Sequence, residues 1–278
     1  MKPQTEAIAL SLNFIESHLC APITVGEIAE AAGYSLFHFI RTFNSVLRHT
    51  PYDYLMRRRL SHGALLLLET DAQVLDIALS CQFETHEGFT RAFGRLFGVP
   101  PITWREQGFM DRRCLMSALG AADLAFRQRA GCLVPKIVQL EPVALVGWMS
   151  LLGPDCIIET HFRDRLEQSL AEEADFGVGK DLWEVHMLPV SQTQNELIFL
   201  GIVVEEPQVP AGRYVIKNLS GGDYLCLSLE NPIQDRTPGE RFLFHTFLPG
   251  SGFRIREPLV ILRVGDNPGL FLPVEQAE

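Results

Sequence analysis

The sequence predicts an all-α domain built from two helix-turn-helix units, followed by an α+β domain with a curved antiparallel sheet. Three observations predict it. A stretch occurs twice: Val25-Gly26-Glu27-Ile28-Ala29 through Tyr34, then Arg41-Thr42-Phe43, leading to Leu47 and Pro51, returns as Val74-Leu75-Asp76-Ile77-Ala78 through Phe83, then Arg91-Ala92-Phe93, leading to Phe97 and Pro101. The offset is 49 residues up to the aromatic (25 to 74) and 50 after it (41 to 91), so one residue is inserted in the second turn. So strict a repeat marks a duplicated supersecondary unit. From Lys136 onward the apolar period changes from helical to alternating. Finally, charge is divided unevenly: residues 1–113 hold 11 Lys+Arg against 12 Asp+Glu, and residues 114–278 hold 13 against 22. These shifts divide the chain into a helical domain at 1–113, a linker at 114–135 and a second domain at 136–278.

The elements of the first domain follow from local chemistry. Ile8, Leu12, Ile15 and Leu19 fall on one helical face, and Pro22 ends that helix. Thr24 with Glu27 forms a capping box that starts the next helix. Gly33 supplies the left-handed conformation of a tight helix connection, and Ser35 caps the helix from Leu36 to about Leu47. Thr50-Pro51-Tyr52-Asp53 opens a helix running to about Glu69. Its apolar residues include Tyr54, Leu55, Leu65 and Leu68. Helices near Val74–Cys81 and Thr85–Phe97 form the second unit, and a short helix begins at Pro101. The helix 51–69 spans about 28 Å at 1.5 Å per residue, a length suited to holding two reading helices near the ~34 Å spacing of successive major-groove openings. Phe39, Phe43, Phe89 and Phe93 fall on the core side. His38 and His49 read as solvated or hydrogen-bonded, since no Cys or carboxylate at ligand spacing accompanies them. The run Arg57-Arg58-Arg59 is either a solvated helix face or a phosphate contact. Arg112-Arg113 and Gly120-Ala121-Ala122 suggest short helical pieces in the linker.

In the second domain, Ile137–Leu140 and Val143–Trp148 read as one strand kinked at Pro142. Phe162, Leu166 and Leu170 stripe a helix ending near Phe176. Leu182–Leu188 and Leu197–Val204 read as strands around a polar turn at Gln192–Asn195. A second round follows: strands at Arg213–Leu219 and Asp223–Leu229, a helix at Gly239–Leu248, and strands at Leu259–Val264 and Leu270–Val274. Strand, helix, strand, strand, repeated, makes an α+β domain.

Composition narrows the function classes. A net charge of −10 argues against a generally basic nucleic-acid coat, so DNA binding requires arginines gathered on one face of the near-neutral first domain. The six cysteines show no metal-ligand spacing and read as reduced thiols. No apolar run exceeds Ala64–Leu68, so the chain reads as soluble and cytoplasmic, with no membrane partner. No Gly-rich phosphate loop, GxSxG or HExxH is present, so no catalytic residue, metal site or cofactor is expected.

Residues 8–105 resemble the double helix-turn-helix domain of the AraC/XylS transcription regulators, a homeodomain-like fold. The matching residues are Ile28-Ala29-x4-Tyr34-Ser35, Arg41-x-Phe43, Pro51-x2-Tyr54-Leu55-x3-Arg59-Leu60, Ile77-Ala78-x4-Phe83, Phe89-x-Arg91-x-Phe93 and Phe97-Gly98-x-Pro100-Pro101-x2-Trp104-Arg105. The resemblance implies that the second helix of each unit enters the major groove of double-stranded DNA. The first helix would present Phe37, Ile40 and Arg41, and the second His86, Glu87, Thr90 and Arg91. Arg41 or Arg91 can bond bidentately to guanine O6 and N7, worth about 1–3 kcal/mol of discrimination. Glu87 can accept from cytosine N4, Phe37 can pack on a thymine methyl, and Ile40 offers apolar contact alone. RNA polymerase is a further partner that the resemblance implies. Two units in one chain, with no heptad seam, predict binding as a monomer.

Residues 136–275 resemble the GyrI-like small-molecule-binding domain through Pro210-Ala211-Gly212-Arg213-Tyr214, Leu248-Pro249-x-Ser251-Gly252-Phe253 and Leu272-Pro273-Val274. The domain order is that of the Rob-like subgroup. The resemblance implies a pocket for a small apolar or cationic effector, with Trp183, Tyr224 and Phe247 as its aromatics and Glu184 as the nearest acid, although these residues also suit an ordinary core. Many relatives carry a Glu, and a Tyr two residues later, where Ile261 and Arg263 stand. Three functions are thus open: an effector-modulated or constitutive transcription regulator, a DNA-binding protein whose second domain is a ligand-free interaction module, and a GyrI-like hydrolase, against which the missing catalytic motifs weigh.

Overall fold

The computed structural model describes residues 3–108, 112–129, 134–152, 181–187, 196–204 and 214–277. The chain divides into two compact units, Met1–Cys132 with Phe244–Thr246, and Leu133–Leu243 with Phe247–Glu278. No helix among the described residues is long and apolar enough to cross a membrane.

The first unit contains α1 (Pro3–Ser17), α2 (Val25–Ala31), α3 (Leu36–Leu47), α4 (Pro51–Glu69), α5 (Val74–Ser80), α6 (His86–Phe97), α7 (Pro101–Gln107) and α8 (Ala121–Arg129). Ile8, Leu12, Ile15 and Leu19 are buried together, Leu19 from the turn beyond the end of α1. Thr24 and Glu27 form the expected reciprocal cap. Thr50 accepts the Asp53 amide at the start of α4. Ser35 occupies the cap position of α3 but makes no side-chain capping bond. By contrast, Thr85 accepts from the Gly88 amide at the start of α6.

Two cores result, and α4 belongs to both. Its first half places Tyr54 and Leu55 among residues of α1, α2 and α3, including Phe39 and Phe43. Its second half places Leu60, Ala64 and Leu67 among residues of α5, α6 and α7, including Phe89, Phe93 and Trp104. Leu65 and Leu68 only flank that second core. The described part of the stretch expected as a linker packs within this unit. Leu115 enters the second core, and Met116, Leu119 and Leu124 enter the first. The Met116 amide donates to Ser61 Oγ (2.9 Å) and the Leu119 amide to the Tyr54 hydroxyl (3.2 Å). Those two bonds satisfy backbone donors that burial would otherwise leave orphaned.

Among the described residues the second unit holds a nine-stranded antiparallel sheet. Its strands are β1 (Lys136–Leu140), β2 (Val143–Leu152), β3 (Leu182–Met187), β4 (Glu196–Val204), β5 (Val215–Leu219), β6 (Gly222–Ser228), β7 (Phe253–Ile255), β8 (Leu259–Val264) and β9 (Gly269–Gln276). The strand order is β1-β6-β9-β8-β3-β4-β2-β5, with β7 on the end of β9. It reads the same outward from its centre: β3-β4-β2-β5 on one side, β8-β9-β6-β1 on the other. The duplication expected from sequence is therefore expressed as a palindromic sheet.

The ends of this path must meet. β1 and β2 lie far apart in the hydrogen-bonded order yet are joined by Glu141-Pro142 alone, and β5 and β6 by Ser220-Gly221 alone. Two residues span only about 10 Å, so the sheet curls until its ends are adjacent. Gly221 accordingly lies against the Pro142 ring, where an added Cβ would come within 2.8 Å. The reading of 137–148 as one kinked strand is thereby corrected. Pro142 marks the passage from one end of the sheet to the other, and its missing N–H falls between ladders rather than inside one.

The helix expected at Gly239–Leu248 is also corrected. Helix α9 runs over Pro232–Phe242, followed by a π turn (Leu243–Phe247) and a 3-10 turn (Leu248–Gly250). Asn231 caps it by accepting the Gln234 amide, and Pro232 takes the first helical position. Pro238 inside the helix reads from sequence as a breaker, which hid the first two turns. The three-residue β7 was not anticipated. The expected helix 162–176, the turn 192–195 and Arg213 lie outside the described residues.

Candidate nucleic-acid interface

Both second helices are strongly two-sided. On α3, Phe39, Thr42, Phe43 and Leu47 are buried, while Phe37, Ile40, Arg41 and Asn44 face outward. On α6, Phe89 and Phe93 are fully buried, and Glu87, Arg91 and Arg95 face outward. The buried aromatics pack at matching distances with their rings tilted: Phe39 and Phe43 have ring centroids 5.4 Å apart, as do Phe89 and Phe93. The same aromatic pair thus anchors each helix and fixes which face it shows.

The sequence-predicted DNA-reading residues take these positions. Phe37, Ile40, Arg41, Glu87 and Arg91 are exposed, and His86 and Thr90 are half-buried. The Thr90 hydroxyl oxygen is buried without a hydrogen-bond partner. Arg41 and Arg91, equivalent under the repeat, are engaged by no acid among the described residues. Sequence reasoning missed Arg95, exposed one turn beyond Arg91. The i, i+4 spacing of two arginines on one helix was the signal that could have found it.

The neighbouring arginines are occupied within the unit. Arg57 Nε donates to the Asp53 carboxylate (2.9 and 3.1 Å). Arg58 pairs with Glu16 (2.7 and 2.8 Å) and donates to the Met116 carbonyl. Arg59 is buried and donates to the carbonyls of Leu19 (3.0 Å) and Ala21 (2.6 Å). Burial pulls its pKa below the usual guanidinium value. Arg105 holds the Leu67 and Ala72 carbonyls in the same manner. Arg58 and Arg59 therefore do not form a solvated face, and Arg57 is half-buried against Asp53. Consecutive residues on a helix point 100° apart, and here each finds a different internal acceptor.

The two histidines both have partners within this unit. His49 is buried and bonds Asp53 (2.7 Å), and His38 meets the Tyr34 ring edge-on at 4.6 Å. Burial works against ionisation of Asp53, but the His49 hydrogen bond and the Arg57 charge outweigh it and hold its pKa low. No group of side chains among the described residues has metal-binding geometry.

The expected effector-pocket residues do not all come together. Trp183 and Glu184 are adjacent on β3, and strand alternation sends them to opposite faces. Trp183 joins Tyr224, Phe199, Ile261 and Phe271 in the interior of the curl. Glu184 points to the other face, where it accepts from His186 Nε2 (2.6 Å) and Arg236 Nη1 of α9 (2.9 Å). Phe247 is half-buried and outside the interior cluster. Glu184 is therefore removed from the candidate pocket, and a buried polar network with α9 accounts for it. Ile261 lies fully buried in the interior, and the Arg263 guanidinium sits over the Phe271 (5.1 Å) and Trp183 (5.8 Å) rings. Trp183 is only 5% exposed, and its indole N–H has no acceptor among the described residues.

Comparison with known proteins bears on the helical unit. A family profile described as a helix-turn-helix domain matches residues 28–107. The chain is 39% identical over 136 residues to the right origin-binding protein of Escherichia coli K12, covering 49% of this chain and 45% of that protein. It is 39% identical over 107 residues to the HTH-type transcriptional regulator YbfP of Bacillus subtilis, covering 38% and 36%. It is 40% identical over 96 residues to the probable transcription factor PqrA of Proteus vulgaris, covering 34% of this chain and 79% of that one. The match thus spans less than half the length of the first two relatives and most of the third.

Proposed function

This chain belongs to the AraC/XylS family of transcription regulators, and we propose that it reads two successive major-groove segments of double-stranded DNA as a monomer, α3 in one segment and α6 in the next. One observation carries this reading. Among the described residues, the pair equivalent under the repeat, Arg41 and Arg91, stands exposed on α3 and α6 without an internal partner, as do Arg48 and Arg95, whereas Arg57, Arg58, Arg59 and Arg105 bond within the unit. A guanidinium held on a rigid helix and free of internal partners suits bidentate readout of guanine.

The second unit is proposed to bind a small apolar effector in the curl of its sheet, and the orphaned Trp183 indole N–H favours this reading over a ligand-free interaction module. A buried donor without an acceptor is costly unless something supplies one. The aromatic surface that would attract a cation already holds Arg263, and Glu184 faces away, so a cationic effector fits less well than an uncharged one. RNA polymerase as a downstream partner and a cytoplasmic location belong to the same proposal.

The test is selection of fragments from random duplexes by the full-length chain at about physiological salt. The expected product is a bipartite motif with halves about one helical turn apart. Arg91→Ala is then expected to lose about 1–3 kcal/mol at one base position. An equal loss on every sequence would reassign Arg91 to phosphate, and two chains per site in sedimentation would overturn the monomer. Recovery of no motif would leave the repeat as a packing scaffold.

A further inference from the structure

The two reading helices differ at three of four equivalent positions. The first unit has Leu36, Phe37 and Ile40 where the second has His86, Glu87 and Thr90, and only the arginine is shared. The apolar side chains of α3 are not core residues that happen to sit near the surface. Phe37 is 79% exposed, Leu36 49% and Ile40 38%, while Phe39, Phe43 and Leu47 already fill the buried side of the same helix. An apolar cluster held outward on a rigid helix beside a free arginine needs an occupant that is itself partly apolar and carries negative charge nearby.

The major groove of DNA meets that description at one base. Thymine alone among the four presents a methyl group there, next to the phosphate backbone. We propose that α3 faces a thymine-rich half-site, recognised through thymine 5-methyl groups by Phe37 and Ile40, with Arg41 supplying its hydrogen bonds, whereas α6 reads its half-site through hydrogen bonds alone. This rests on the DNA-reading function proposed above and assigns the base class of one half of the site. Glu87 and Arg91 give α6 an acceptor and a forked donor, the groups that distinguish cytosine and guanine edges. Phe37 and Ile40 have neither, so they can sense only shape and methyl groups.

The experiment uses the full-length chain and the duplex it selects. Arg41→Ala and Arg91→Ala first identify which half faces which helix, by the base position at which each relaxes selectivity. Deoxyuridine then replaces thymidine in one half at a time, which removes the methyl and leaves pairing intact. Each methyl that α3 contacts is expected to cost about fourfold in affinity, the worth of one buried methyl group, with no comparable loss in the α6 half. Phe37→Ala should weaken the sensitivity to deoxyuridine and the double variant Phe37→Ala/Ile40→Ala should abolish it, and the exposure of both side chains leaves the core untouched, which an unchanged unfolding midpoint checks. Equal affinity for thymidine and deoxyuridine in the α3 half would overturn the proposal while leaving two-segment reading standing. Phe37→Ala without effect on DNA binding would also overturn it and assign the apolar cluster to a protein partner. If no duplex is selected, the DNA-reading function itself fails and this inference falls with it.

Discussion

The two helix-turn-helix units of this chain share their insides and differ on their outsides. Each has a Phe pair at the same spacing on its second helix, an Ile-Ala pair on its first, and one half of α4 as its floor. The turns solve the same problem with different residues. Gly33 adopts the left-handed conformation in the first unit (φ 71°), and Gln82 does so at the equivalent position of the second (φ 63°). At the helix ends the pattern reverses, with Arg48 left-handed in the first and Gly98 in the second. Gln82 is compensated: its side chain donates to the Cys20 carbonyl at 2.6 Å. The comparison teaches that packing constrains the buried pattern tightly, while backbone conformation can be reached by glycine or by a polar residue that makes a bond there. The outward faces, under neither constraint, diverge into an apolar and a polar version.

The largest test of this equivalence is in the cores. Phe43→Ala and Phe93→Ala are each expected to cost about 3–5 kcal/mol, since both remove a fully buried ring. Urea unfolding should show similar losses in one cooperative transition, because α4 runs through both cores. Two separate transitions in either variant would break the comparison, showing units that fold independently.

A smaller effect separates structural arginines from those proposed to read DNA. Arg59→Met should cost about 1–3 kcal/mol of stability by leaving two carbonyls without their donor, and should leave the salt dependence of DNA binding as it was. A salt slope reduced by about one unit would instead make Arg59 a phosphate contact. The smallest effect concerns the turns. Gly33→Ala should cost about 1–2 kcal/mol from the left-handed backbone alone, since an added Cβ there meets nothing within 4 Å. Gln82→Gly should change stability by under about 1 kcal/mol, as relief of backbone strain offsets the lost hydrogen bond. Equal large losses at both positions would mean that the turns are held by contacts rather than conformation.

Much of the helical unit was legible because its signals are local. Capping pairs, the proline at the start of α4 and the 3.6-residue period lie within a few residues of one another, so Thr24, Pro51 and the Phe pairs declare their roles without knowledge of the fold. The outward residues of α3 and α6 follow by subtraction from the buried ones. The second unit was less legible. Most strand positions follow from alternation, but Pro238, which sits inside the helix, obscures the start of α9, and the adjacency of Glu184 to Trp183 in sequence does not place them in one pocket. Alternation of side chains across a strand separates them.

What the sequence by itself determined is the helices of the first unit with their buried faces, and the repeat that pairs Arg41 with Arg91, because these depend on periodicity and on bonds within a turn or two. What only the tertiary structure decided is the fate of individual polar groups and the closure of the sheet. Arg58 meets Glu16 across 42 residues and Arg59 meets Leu19 across 40, and the interior of the curl joins both ends of an eight-stranded path. Such partners are set by how elements pack in space, and no local spacing in the chain encodes which distant carbonyl or carboxylate a given guanidinium will reach.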